Sequence, residues 1–142
     1  MKNTLLLFFA LLLLTCNKDQ PEPTTEFELN KNKWEALGVD SYSFTLQISC
    51  FCTEETTRLK AVKIVNNQIT SVNETPYNSD EHWGVMTISQ LFDEIENAER
   101  DKVFLLRVEY DQDKGFPNSV YIDREEMMAD EEMGYTITNL KY

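Results

Sequence analysis

Apolar and polar residues alternate without a break through "DSYSFTLQISCF". Tyr42, Phe44, Leu46, Ile48 and Cys50 fall on one side; Ser41, Ser43, Thr45, Gln47 and Ser49 fall on the other. A period of two puts one face in a core and the other in water, so this stretch predicts a half-buried strand. "LKAVKIV" and "ITSVN" flank "NNQ" and predict a hairpin turning at Asn66-Asn67, residues that tolerate left-handed backbone angles. The period changes in "TISQLFDEIENAER", where Ile88, Leu91, Phe92, Ile95 and Ala98 recur at helical spacing as one apolar stripe. Thr87 and Gln90 make a capping box at its start, and acids fill its other face. A shorter helix is expected over "ELNKNKWEALG", with Leu29, Lys33, Trp34 and Leu37 on a shared side and Gly38 as its stop. Three strands complete the pattern: "VFLLRVEY", with Phe104, Leu106, Val108 and Tyr110 on one side, then "SVYID" and "GYTITNLKY". The order α-β-β-β-α-β-β-β with hairpin-length connections predicts an α+β fold. Its two layers would be a mainly antiparallel sheet of about six strands and two helices on one face.

The chain opens quite differently. "MKNTLLLFFALLLLTC" carries one lysine, Lys2, ahead of an unbroken apolar run from Leu5 to Leu14. A helix needs about twenty apolar residues to span a bilayer, so the run is too short for that and fits the apolar region of a signal peptide. "LLTC" resembles a bacterial lipobox, with Thr15 in place of the more usual Gly, Ala or Ser. That resemblance implies cleavage after residue 15 and acylation of Cys16, the alternative being a secreted protein cleaved nearby. "NKDQPEPTTE" has two prolines, four charges and no large apolar side chain, so it can bury nothing that offsets its ordering entropy. The expected organisation is a lipoprotein signal peptide over 1–15, a lipidated cysteine and tether over 16–26, and one α+β domain over 27–142. Lys18-Asp19 also resembles the start of a surface-export signal, interrupted by Gln20. The expected location is the cell envelope, lipid-anchored, at an outer membrane facing periplasm or surface.

Charge narrows the partners. Loss of residues 1–15 removes only Lys2 among charged side chains, leaving 12 cations against 25 carboxylates and a net charge of −13. Nucleic acid is disfavoured, because neutralising phosphates needs a basic surface. Anionic headgroups are repelled as well, so membrane contact should come through the lipid on Cys16. A folded part of about 115 residues makes one domain, large enough to need no disulfide for folding.

Several segments together resemble a family of small exported bacterial proteins known only as a domain of unknown function, DUF6174. They are "YSF", "SCFC", "ISQLFDEIENA", "VEYDQDKGFPNSVYID" and "DEEMGYTI", in that order, covering most of the chain from Trp34 onward. The resemblance implies an exported, often lipid-anchored α+β domain and carries no activity with it. It also implies that the Cys-x-Cys and the "YD…GFP…D" turn belong to the framework.

The chemistry-bearing residues are few. Asp111 and Asp113 begin like a calcium loop, but Gly115, Phe116 and Ile122 occupy its fifth, sixth and twelfth positions where an acid or amide, a glycine and a glutamate are needed. A tight β-turn with Gly115 at a special backbone angle and Pro117 outside the ladder is the expectation. "DREEMMADEE" gathers six acids in ten residues; with Asp111, Asp113 and Asp123 as weak ligands it could attract a hard cation, although such runs are normally solvated loops. Met127 and Met128 within it are expected to fold back on the domain edge. His82, the only histidine, has no reactive serine or cysteine near it in sequence. Cys50 and Cys52 would sit about 6.5–7 Å apart (Cα to Cα) in an extended strand, at the limit for a disulfide, so bridging requires a kink where the alternation ends. A small-ring disulfide in an oxidising compartment, two buried thiols, and a metal or redox role with His82 all remain open at this point.

No cofactor is expected and no catalytic constellation stands out. The expected role is a membrane-anchored envelope lipoprotein acting as a non-catalytic binding or structural module, with an unknown protein partner. The alternatives are a metal- or thiol-dependent activity at Cys50 and Cys52, and a proteinaceous inhibitor or partner-binding module.

Overall fold

The alternation in "YSFTLQIS" is realised in full: Tyr42, Phe44, Leu46 and Ile48 are buried, and their neighbours face outward. The computed structural model describes residues 25–128 and 130–142; the expected signal peptide, Cys16 and nearly all of the tether lie outside them. The elements are α1 (Glu26–Ala36), β1 (Tyr42–Ser49), α2 (Glu54–Thr57), β2 (Lys60–Val65), β3 (Gln68–Val72), β4 (Thr75–Pro76), α3 (Ile88–Asp101), β5 (Leu105–Tyr110), β6 (Pro117–Asp123) and β7 (Met133–Lys141). The strands form one sheet in the order β4-β3-β2-β1-β7-β6-β5, and every neighbouring pair is antiparallel. The fold is therefore α+β with seven strands and three described helices, where about six strands and two helices are expected from the sequence. The extra strand follows a second two-residue turn at Asn73-Glu74, with φ of 49° and 67°, that repeats the Asn66-Asn67 turn at 50° and 60°. A glutamate seldom adopts that conformation, so composition does not announce the turn. None of the described helices is long and apolar enough to cross a membrane.

The helices cover one face of the sheet. In α3 the expected stripe of Ile88, Leu91, Phe92, Ile95 and Ala98 is buried. Thr87 Oγ1 accepts from Gln90 N–H at 3.1 Å and Gln90 Oε1 accepts from Thr87 N–H at 2.8 Å. The Ile88 N–H at this helix start donates to the buried Tyr42 hydroxyl at 3.0 Å, which ties α3 to β1. The α1 stripe differs from expectation. Thr25 and Glu28 form a capping box that starts the helix at Glu26, and the buried pair is Phe27 and Trp34, while Leu29 is 57% exposed. Phe27 meets Phe92 of α3 edge-on at 5.9 Å, and Trp34 meets Tyr42 and Phe116 at 5.4 and 6.2 Å. The opposite face of the sheet is mostly polar, carrying Thr45, Gln47, Ser49, Thr136 and Thr138, and is bare among the described residues.

The turn between β5 and β6 is the tight turn expected there, except that Pro117 is the first residue of β6, opposite Tyr110, because a proline is tolerated at the start of a strand. Asp111 Oδ1 accepts from the N–H groups of Asp113 and Lys114 at 3.1 and 2.7 Å, and Gly115 N–H closes onto the Asp111 carbonyl at 2.9 Å. Gly115 has φ +77°, and a Cβ there would overlap the Asn30 carbonyl oxygen and stand 2.9 Å from Lys33 Cβ, so α1 rests on the turn. Lys33 Nζ donates to the Gln112 carbonyl at 2.8 Å from the same helix. Phe104, expected on the buried side of its strand, precedes β5 and is 52% exposed; it lies at the opposite end of this edge strand from Tyr110, whose ring stacks on Phe92 of α3 at 6.3 Å.

Gly115→Ala combines a strained backbone with an overlap against α1, and should destabilise the domain by roughly 1–3 kcal/mol, read as a lower urea midpoint with an unchanged slope. Burial pushes the hydroxyls of Tyr110 and Tyr135 up to about 12, reinforced by Glu99 and Glu26 at the first and by Glu94 at the second. The folded rings keep protons that unfolded tyrosines release near pH 10, so this stabilisation is complete below pH 10 and lost as pH rises towards 12. Tyrosinate absorbance from these rings should appear together with loss of near-ultraviolet dichroism, and Tyr135→Phe should move the alkaline midpoint upward.

Candidate functional site

β1 ends at Ser49, and the next residues turn sharply. The turn brings the Cα atoms of Cys50 and Cys52 to 5.2 Å, and their sulfurs are bonded to each other. The disulfide therefore forms just beyond the strand, where the extended geometry that opposed it has ended. With only one residue enclosed, the ring holds that residue's orientation: Phe51 points outward and is 79% exposed, while Cys50 packs against the core. Joined sulfurs also offer no thiolate to a metal or a substrate.

A groove of about 790 Å³ begins next to the ring, at Thr53. One wall is the segment from Thr53 through α2 to Lys60; the other is Val72, Asn73 and Thr75 with Asp80, Glu81, His82 and Trp83. Gly84 sets this second wall in place. Its φ is +74° and a Cβ there would lie 3.0 Å from Ile48 Cδ1, so the loop sits directly on the buried end of β1. At the rim, Leu59 is 61% and Trp83 57% exposed.

The polar groups in the groove divide into those used by the fold and those left over. Lys60 occupies an inward position of β2 and is buried; its ammonium donates to the carbonyls of Thr56, Glu55 and Arg58 at 2.6, 3.0 and 3.1 Å. Burial lowers its pKa, and the Glu55 carboxylate partly opposes that shift. With its three protons directed at carbonyls, this lysine holds the end of α2 and has no lone pair or free proton for a ligand. Arg58 pairs with Glu54 at 2.8 Å. His82 stacks on Tyr77 at 5.7 Å, and its Nδ1 accepts from the Asn78 N–H at 3.1 Å, closing its own loop. Glu55, Asp80 and Glu81 take part in no ion pair among the described residues.

The residues singled out from the sequence are thus only partly brought together. His82 and the Cys50–Cys52 ring lie at the same end of the molecule, around the groove. Asp111 and Asp113 are engaged in their own turn, and Asp123 pairs with Leu105 at the far end of the β5–β6 hairpin from Tyr110. That separation is roughly 20 Å for a six-residue strand, so the three aspartates share no site. Among the described residues no three His, Cys, Asp or Glu side chains are arranged to hold a metal. Met127, at 95% exposure, and Met128 stand in solvent instead of folding back. Trp83 and Leu59 were not legible as a pair, because they are far apart in sequence and only the fold brings them to one groove.

Comparison with curated proteins and with solved structures gives no significant match. The model of a family of unknown function, DUF6174, matches residues 26–142 and takes in every described helix and strand. The chain belongs to the DUF6174 family.

Proposed function

We propose that this protein is a membrane-anchored envelope lipoprotein whose domain is a non-catalytic binding module, and that the groove beside the Cys50–Cys52 ring takes a cationic, partly apolar polypeptide segment. The observation that carries the reading is the pairing of exposed Trp83 and Leu59 with the unpaired carboxylates Glu55, Asp80 and Glu81 around one groove. Arg58 is paired with Glu54, and the three carboxylates of the lining then outnumber Lys60, so the net charge around the groove is negative. An indole face beside carboxylates favours a lysine or arginine side chain, by cation–π attraction of about 0.5–2 kcal/mol together with Coulomb attraction. Leu59 adds apolar contact for a neighbouring residue of the same segment. A large net negative charge steers such a partner towards the domain and keeps anionic lipid surfaces away from it.

Anchoring rests on "LLLLTC". Several acyl chains on Cys16 would hold the domain at a membrane, and "NKDQPEPTTE" would let it stand off the surface. Cys16→Ser should abolish incorporation of labelled fatty acid and move the protein from the membrane fraction to the soluble envelope fraction; a variant that stays lipidated would overturn this part of the reading. For the groove, titration with arginine-containing peptides carrying one aromatic residue should change Trp83 fluorescence, with affinity falling as salt is added. Trp83→Ala should weaken that binding by about tenfold. Equal binding of neutral and cationic peptides, or unchanged affinity in Trp83→Ala, would defeat the proposed groove chemistry.

A further inference from the structure

The two edges of the sheet are built unlike each other. At one end β4 is two residues long and finishes on Pro76, which has no N–H to offer. Shortness and proline are how sheet edges avoid pairing with another chain. At the other end β5 runs six residues, Leu105–Tyr110, with neither device. Phe104 N–H donates to the Arg124 carbonyl at 3.2 Å, and backbone groups alternate in direction along an antiparallel strand. The even-numbered residues therefore address β6, and Leu105, Arg107 and Glu109 aim their N–H and C=O groups at the edge, where the sheet has no further strand among the described residues. The core also thins here, since Leu106 and Val108 are only half-buried and Phe104 is exposed.

The geometry points to a second copy of this chain as the occupant of the β5 edge, in an antiparallel β5–β5 pairing with its two-fold axis at Val108. Side chains alternate between faces, so a symmetric antiparallel pairing must be centred on a residue; a half-step axis would set core-facing against water-facing positions. Centred on Val108, the pairing sets Arg107 opposite Glu109 of the second copy and Glu109 opposite its Arg107, giving two cross-strand ion pairs on the bare face. It sets Val108 against Val108 and Leu106 against Tyr110 on the core side, covering the half-buried residues. Centred on Arg107, it would oppose two arginines and leave Glu109 against Leu105. Charge thus selects one register, and the strand is complementary to itself in that register. Neither Arg107 nor Glu109 has an ion-pair partner among the described residues. The result would be one continuous sheet across the dimer, with both grooves at its outer ends, because each groove lies on the β2–β4 side of its own sheet.

The test uses the full chain purified in detergent. Residues facing each other across the axis are a non-hydrogen-bonded pair, with Cα atoms about 4.5 Å apart and side chains close. Val108→Cys should therefore give a covalent dimer under a mild copper oxidant, on a non-reducing gel, whereas Arg107→Cys should not, because Arg107 faces Glu109. Adding Arg107→Glu to Val108→Cys should cut the dimer yield by about tenfold by opposing like charges, and further adding Glu109→Arg should restore it. Restoration by the double reversal separates pairing from any loss of folding. Absence of a Val108→Cys dimer, equal yield with Arg107→Glu, or cross-linking to a different protein in place of a second copy would each overturn the inference.

Discussion

The ladder between β1 and β7 holds the two halves of this fold together. β1 to β4 form a meander on one side, β5 to β7 form another, and the only seam between them in the sheet is the pairing of Tyr42–Ser49 with Met133–Lys141. Its register runs from Ser43 opposite Lys141 to Ser49 opposite Gly134, so it joins residues from opposite ends of the domain. Closing so long a loop costs entropy before any contact returns it, and the seam must therefore be well specified. Specification comes from both faces. Inside, Leu46 and Ile48 sit against Ile137 and Tyr135. Outside, Gly134 has no room for a Cβ, which would overlap Ser49 Oγ, and Asn139 takes φ 56° at the bulge where its amide reaches Thr45 Oγ1 at 3.3 Å.

The same strand positions the candidate site. Its start holds α3 through the Tyr42 hydroxyl, and its end carries the Cys50–Cys52 ring and supports the loop of Trp83 through the close approach of Gly84 to Ile48. One wall of the groove therefore rests on the central strand of the sheet, although its rim is made of loops. This division suits a binding surface: rigid support below, and side chains such as Leu59 and Trp83 free to meet a partner above. The disulfide acts on orientation in this arrangement more than on stability, because an unfolded chain loses little entropy when so few residues are enclosed.

Much of the fold was legible where a period ran long enough. The stripe of α3, the alternation of β1, the Asn66-Asn67 hairpin and the Gly115 turn all stand where the sequence places them, because each depends on local geometry and burial alone. Thr25 borders the proline-rich stretch and yet caps α1 through a local box with Glu28, Leu29 yields the core position to Phe27, and Phe104 stands outside because it precedes the edge strand β5. Phe27 is buried against Phe92, a neighbour distant in sequence, which no local pattern on α1 announces.

The sequence by itself determined the acidic character of the domain, its two longer helices and most of its strands, and the family to which it belongs, since charge, periodicity and motif order are properties of the chain. Tertiary structure alone decided that Cys50 and Cys52 meet outside the strand, that Lys60 turns inward onto three carbonyls, and that Leu59, Trp83 and three carboxylates frame one groove. It also decided which sheet edge stays open, because strand order follows from the β1–β7 closure and no local pattern encodes it. Local chemistry sets what each segment can become; the long-range seam determines which of its groups remain available for recognition.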